Sequence, residues 1–414
     1  MAATTSGSAE RQPISPKRRI RIYKALLTLA SVLISLLVAE GALRLVEKNQ
    51  LGDRAIEEKL VKDPVLGLKL APHALGHDAN GFRNDAVPQK VDIVALGDSQ
   101  TWGVNVERQG AWPQQLSKIS GRSVYNMGLG GFGPVQYRVL TPQALVLSPK
   151  IIVVGLYLGN DIYDAYQMAY HYEAHRALRS NSAGDLSVDT VGDRANAFWN
   201  EEKQFHANYG RASFSGWSFW LREHLALGRV LNRTGLWPGS QDIDYEIDKR
   251  WAEAHPDHGA VCHDAGRETV LTTAYRLAGL DLDEPRIAEG LRITKDLLTQ
   301  IQRDVDAKQV KLIVLLLPTK ETVYATAQSG RTGGRIGLDP TYSRLVEMES
   351  RIRGELYSSC DTKRIQCIDA LPSLRSALER GERIYPTTTE SHPNARGYFV
   401  IASAVNENLS RLGL

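Results

Sequence analysis

An α/β fold is predicted for this 414-residue chain, and two observations predict it. Five short apolar, β-rich runs alternate with longer amphipathic stretches. The runs are apolar at nearly every position, as expected for strands buried on both faces of a parallel sheet. The alternation itself is that of a doubly wound protein. We therefore expect a flavodoxin-like three-layer α/β/α architecture around a five-stranded parallel sheet. To this the sequence adds an N-terminal transmembrane helix and a mostly helical insertion.

The expected strands are Val91–Leu96, Ser123–Met127, Ile151–Leu156, Lys311–Leu317 and Ile365–Ala370. Helix-compatible stretches lie between and after them: Trp112–Ile119, Pro134–Leu147, Ile287–Ala307, Pro340–Tyr357, Leu371–Arg380 and Asn394–Leu412. Residues 163–283 break the rhythm. They are rich in aromatics and histidine, and too many to form a loop without structure of its own. The expected divisions are a basic, disordered tail (1–21), a membrane anchor (22–46), a connector (47–90), the first part of the α/β domain (91–164), the helical insertion (165–285) and the second part (286–414).

The net charge of +3 is too small to argue for nucleic acid, and much of the excess sits in "PKRRIRIYK" at Pro16–Lys24. An uncharged stretch follows, Ala25–Ala39, with Glu40 and Arg44 only near its far end. Ile22–Val46 reaches the ~20 residues a spanning helix needs. Basic residues before it orient that end toward the cytoplasm, so the bulk of the chain is expected outside it. A cleaved signal peptide is the rival reading, although no clear A-x-A site follows. Cys360 and Cys367 flank a short polar stretch that a disulfide could close in an oxidising space; two ordinary thiols fit the sequence equally well. Cys262 is left over.

Chemistry concentrates at the carboxyl ends of the strands, where open α/β sheets place their functional crevice. The first strand ends on "GDS" (Gly97–Ser99), at a strand-to-helix turn where backbone N–H groups favour a developing oxyanion. A hydroxyl needs an adjacent base to act as a nucleophile. His392 in "TTTESHPNARG" stands just before the last helix, and Glu390 two residues earlier can fix its tautomer. Each residue has a plainer role open to it, since both Ser99 and His392 could simply cap helices. The turn "GLGGFG" (Gly128–Gly133) and the pair Asn160-Asp161 can supply donors to a substrate oxygen. His255, His258, Cys262 and His263 match no common zinc spacing, so no metal is expected. No organic cofactor is expected either. The chain contains no G-x-S-x-G elbow and no properly flanked G-x-G-x-x-G.

Taken in order, "GDS", the glycine turn, "GND" and "HPN" resemble the SGNH (GDSL-type) hydrolase family of serine esterases and acyltransferases. The likeness covers about 91–161 and 311–412. It implies Ser99 as nucleophile, His392 as general base, and an oxyanion hole from the Ser99 N–H, the Gly131 N–H and the Asn160 amide, with Gly130 the alternative to Gly131. The family's usual aspartate three residues before the histidine is Thr389 here, so Glu390 is expected to take that role. The segment "LLPTKETVYA" resembles its counterpart in SGNH-like enzymes that acetylate exopolysaccharides. That makes Lys320 and Tyr324, with Asp98, candidates for touching substrate, although Lys320 could equally cap a helix or form a salt bridge. Trp199, Tyr209, Trp217 and Trp220 could stack on sugars or form the core of the insertion. The substrate implied is an acyl ester, chiefly acetyl, of a carbohydrate or a small ester. The setting implied is a bacterial inner membrane, with the catalytic domain on the periplasmic side. A polysaccharide O-acetyltransferase with the same residues, and a catalytically silent tethered scaffold, are the alternatives.

Overall fold

The computed structural model describes residues 16–49, 60–74, 76–180, 186–213, 224–233, 243–262, 268–329 and 340–413. Residues 1–15, Trp217, Trp220, His263 and the side chain of Tyr209 lie outside that description. The chain divides into two compact units, one of residues 1–52 with 216–241, the other of 53–215 with 242–414.

In the larger unit five parallel strands form one sheet: β3 (Ile93–Gly97), β4 (Val124–Gly128), β5 (Ile151–Tyr157), β8 (Lys311–Leu317) and β9 (Gln366–Asp369). Their order is β4-β3-β5-β8-β9, the flavodoxin-like order in which the chain turns back once beside the first strand. All seven residues of β5 and all five of β3 are buried, which is why these runs lack polar alternation. Two apolar layers cover the sheet. One includes Val94, Leu96, Val154, Leu298 and Ile352; the other includes Ile93, Ala95, Trp112, Leu374 and Ile401. The six helices expected from periodicity are present, and two more, Asp161–His171 and Lys320–Ser329, lie outside that expectation. The one exception in length is Pro340–Lys363, which continues six residues beyond the expected Tyr357.

The helix Pro285–Asp306 packs on the helix Asp161–His171 through Gly290. A methyl group on Gly290 would lie 2.0 Å from the backbone oxygen of Ile162, which cannot swing aside as a side chain could. Gly290→Ala is expected to cost about 2–3 kcal/mol through overpacking. A lowered urea midpoint with an unchanged m-value checks it.

Two segments differ from expectation. The connector carries an antiparallel hairpin, β1 (Leu60–Asp63) with β2 (Gly67–Leu70), closed where Asp63 accepts from the Val65 and Leu66 N–H groups. The insertion carries a second hairpin, β6 (Ala260–Cys262) with β7 (Thr269–Leu271), beside its helices Thr190–Ser213, Ile243–Ala254 and Thr273–Ala278. Strands of three or four residues are too short to register as a period. Cys360 and Cys367 are bridged across the end of the last long helix before β9, and Cys262 is buried outside any disulfide.

The smaller unit contains the helix Pro16–Asn49, of which Ile20–Leu45 is apolar and long enough to cross a membrane or to serve as a signal sequence. Glu40 and Arg44, the charges near its far end, are used. The Glu40 carboxylate accepts from the N–H groups of Ala226 and Leu227, both at 2.9 Å, at the start of the helix Ala226–Arg233. Arg44 donates to the His224 carbonyl at 2.8 Å. An acidic group at a helix N-terminus satisfies otherwise orphaned donors.

Candidate active site

Ser99 opens a four-residue helix, Ser99–Trp102, directly after β3. Asp98 caps it by accepting from the Gln100 N–H at 2.9 Å, and Gly103 ends it in the left-handed region at φ 89°. So tight a turn projects the Ser99 side chain beyond the sheet edge. The turn is braced by the end of the connector. Arg83 stacks 4.0 Å over the Trp102 ring and donates to the Gly103 and Val106 carbonyls, while Trp102 Nε1 donates to His77. The "NGFRND" stretch therefore anchors the turn that holds Ser99.

His392 reaches the same rim from the loop before the last helix, Ala395–Arg411. Its Nε2 lies 2.8 Å from Ser99 Oγ, and its Nδ1 lies 2.5 Å from Glu390 Oε1. The same carboxylate oxygen accepts from the His392 backbone N–H at 2.9 Å. Burial works to raise the Glu390 carboxyl, but the hydrogen bonds and charge of His392 outweigh it and bring the group down to about 2. Ser99, His392 and Glu390 thus form one hydrogen-bonded chain, with glutamate two residues before the histidine in place of aspartate three before it.

The expected donors divide. Asn160 lines the cavity beside Ser99, and its amide nitrogen donates to Asp164 Oδ2 at 2.6 Å. At the glycine turn, Gly130 is the glycine beside Ser99. A methyl group there would lie 3.8 Å from Ser99 Cβ, whereas one at Gly131 would meet nothing within 4 Å. Gly131 supplies the turn itself, at φ 79°.

The three residues expected to touch substrate do not line the cavity. Asp98 is fully buried and accepts from Ser99 Oγ at 3.2 Å as well as capping the helix. Burial pushes its carboxyl above the usual range. Tyr324 is buried edge-on against Tyr385. Lys320 is fully buried, its ammonium donating to four backbone carbonyls. Lys320 and Tyr324 are internal because the helix that carries them, Lys320–Ser329, packs its Val323 and Tyr324 into the apolar layer of the sheet, and Asp98 is internal because it caps the turn after β3.

A cavity of about 620 Å³ opens over Ser99, Asn160, Glu390 and His392. Its far wall comes from the insertion: Trp199, Glu202, Lys203 and His206 from one helix, Asp244 and Asp248 from the next, Tyr275 and Arg276 from the third. Of these only Trp199 was singled out from sequence. Glu202 and His206, four residues apart, show a helical spacing, but nothing local points to Asp248. His206 Nε2 lies 2.7 Å from Asp248 Oδ1, and this carboxylate raises the imidazole against the effect of burial. Glu202, His206 and Asp248 are the described residues whose donor atoms could share a cation, all within 4.8 Å of one another. His255 and His258 instead pair with Glu201, at 3.0 and 3.4 Å, and form no metal-binding group with Cys262 among the described residues.

Solved structures similar to this chain include GDSL lipolytic proteins and acetylxylan esterases. A member of the lipolytic G-D-S-L family from Veillonella parvula is 12% identical, with a TM-score of 0.32, over 77% of this chain and 98% of that one. A GDSL-like lipase from Bacteroides thetaiotaomicron is 8% identical (TM-score 0.33; 79% and 93% covered). A catalytic mutant of an acetylxylan esterase from Geobacillus stearothermophilus is 9% identical (TM-score 0.36; 78% and 95% covered). No family model and no curated protein matches.

Proposed function

We propose that this chain is a serine esterase of the SGNH type that cleaves acyl esters, chiefly acetyl esters of carbohydrate outside the cytoplasm, through an acyl-enzyme on Ser99. The observation that carries this is the 2.8 Å approach of His392 Nε2 to Ser99 Oγ, between residues 293 positions apart in the chain. His392 takes the Oγ proton as Ser99 attacks the ester carbonyl. Glu390 holds Nδ1–H and stabilises the imidazolium that forms. The oxyanion is received by the Ser99 N–H, a glycine N–H of the 128–133 turn, and the second amide hydrogen of Asn160. One such donor is worth about 3 kcal/mol of barrier. His392 then protonates the leaving alcohol, and a second nucleophile, activated by the same imidazole, takes the acyl group and frees Ser99: water yields the acid, a sugar hydroxyl a new ester.

Size and lining bear on that second nucleophile. An acetyl group fills only a small part of 620 Å³. The rest is walled by aromatic faces (Trp199 and Tyr275, ring centroids 5.0 Å apart) and by charged groups, a lining suited to hydroxyl-bearing rings. That favours, as a second reading, transfer of the acyl group to a sugar hydroxyl. A placement beyond the membrane is supported by the apolar N-terminal helix behind a basic leader, and by the Cys360–Cys367 bridge.

The test is to incubate the full-length protein in detergent with an aryl acetate, with and without an oligosaccharide acceptor, and to follow both acetate and acetylated sugar. Acetate release independent of acceptor supports the esterase. Acetylated oligosaccharide supports the transferase. No turnover under either condition returns the chain to the silent scaffold.

A further inference from the structure

Lys320 stands outside the triad but binds the loop that carries it. Its Nζ donates to the carbonyls of Val270 (3.1 Å), Pro386 (3.2 Å), Thr388 (2.6 Å) and Glu390 (3.1 Å). A lysine with no exposed surface is rare unless its charge is matched. Here much of the match comes from backbone dipoles. Three of the four acceptors sit at alternate positions, 386, 388 and 390. The residues between are held as well. Thr387 O accepts from the Val270 N–H at 2.9 Å, and the Thr389 N–H donates to Asp248 Oδ2 at 2.6 Å. A buried cation gathers the loop's carbonyls while a buried anion takes an amide.

We propose that Lys320 is a positioning residue, whose ammonium fixes the Pro386–Glu390 backbone and so keeps Glu390 and His392 in register with Ser99. This rests on the triad reading given above. Errors of an ångström in such a chain are costly. Nucleophile, base and carboxylate must align within hydrogen-bond reach, and the loop that delivers two of them has no helix or sheet ladder of its own.

The charged groups around the ammonium are Glu321 on its own helix, Asp248 and Arg276 from the insertion, and Glu390 on the loop. Burial, aided by Arg276, outweighs the three carboxylates and lowers Lys320 to about 8. Above that pH the neutral amine offers two N–H groups and no charge to four carbonyls. Stability and activity then move in opposite directions. From about pH 8 up to the ordinary lysine value of about 10.4, the unfolded chain binds more protons than the folded one, so this group's contribution to stability rises with pH. The loop's hold on the triad weakens over the same range.

The experiment measures kcat and KM for an aryl acetate from pH 6 to 10 on the full-length protein in detergent, alongside amide exchange of the 386–392 segment corrected for intrinsic rates. Wild type is expected to lose kcat, not KM, as the pH rises through about 8, with faster exchange confined to this loop. Lys320→Met is expected to lower kcat at neutral pH by about 10- to 100-fold, through misplacement rather than lost chemistry. It should have no alkaline limb, and its loop should exchange rapidly at every pH. Lys320→Arg, which stays charged, should recover part of kcat and move the limb upward. An alkaline limb that survives unchanged in Lys320→Met, or loop exchange that Lys320→Met leaves at the wild-type rate, overturns the proposal. If Lys320→Met does not fold, constant loop protection in wild type across pH 7–10 overturns it. Exchange does not depend on turnover, so a failed esterase reading and a failed clamp give different results.

Discussion

Ser99→Ala is expected to lower kcat for ester cleavage by roughly 10⁵- to 10⁶-fold while leaving KM within a few-fold. The variant keeps the cavity and the oxyanion donors but has no atom to form the acyl-enzyme. What remains is water attacking a bound, polarised ester. Because nucleophile and base act as a unit, His392→Ala should cost nearly as much alone, and the double variant little more than either. The serine hydroxyl has a second acceptor, Asp98 Oδ2 at 3.2 Å, against 2.8 Å to His392 Nε2. The shorter contact is the productive one. Ser99 begins its helix but does not cap it, and Asp98 keeps its bond to the Gln100 N–H in the variant. Thermal stability is therefore expected to change by no more than a few degrees. Steady-state kinetics with the aryl acetate, and a thermal melt of the same preparation, check both halves. A Ser99→Ala protein that turns over like wild type ends the esterase and transferase readings together.

The same contrast explains what could be read in advance. The centre of the sheet was legible because its strands are buried on both faces, as are all seven residues of Ile151–Tyr157. Ser99, Asn160 and His392 were legible because each lies at a strand or helix end and within a few residues of a distinctive neighbour. Lys320 was not. Its four acceptors come from residues 50 to 70 positions away, and backbone carbonyls leave no mark on residue identity. The same holds for Asp248, which meets Thr389 across 141 positions. The cavity's far wall is assembled from three helices that are ordinary amphipathic segments until the chain brings them to one rim. Gly130 and Gly131 differ by one place, and only the turn geometry shows that a side chain at Gly130 would meet Ser99 while one at Gly131 would not. Both hairpins are shorter than any periodic signal.

Glu390→Gln tests the departure from the usual acid position. In the proposed mechanism the carboxylate has two functions, holding Nδ1–H so that Nε2 is free to take the Ser99 proton, and balancing the imidazolium that follows. A glutamine keeps size and reach but carries no charge, and its NH₂ group can donate to Nδ1 and select the wrong tautomer. A loss of roughly 10⁴-fold in kcat is expected, by analogy with the effect of such a change in serine protease triads. Glu390→Asp retains the charge but is one methylene short of the 2.5 Å contact, so it should fall between wild type and the glutamine variant. The ionisation of this residue gives a second readout. Its folded-state value of about 2 lies below that of a free glutamate, about 4.3. Its contribution to stability is therefore complete above the free value and is lost as the pH falls toward 2. The glutamine variant should lack that part of the acid-side decline, so its stability and that of wild type should converge on acidification. Urea midpoints measured between pH 3 and 7 decide it. Activity that is insensitive to Glu390→Gln, with the acid limb unchanged, would mean that a backbone carbonyl orients His392 and that the carboxylate is a bystander.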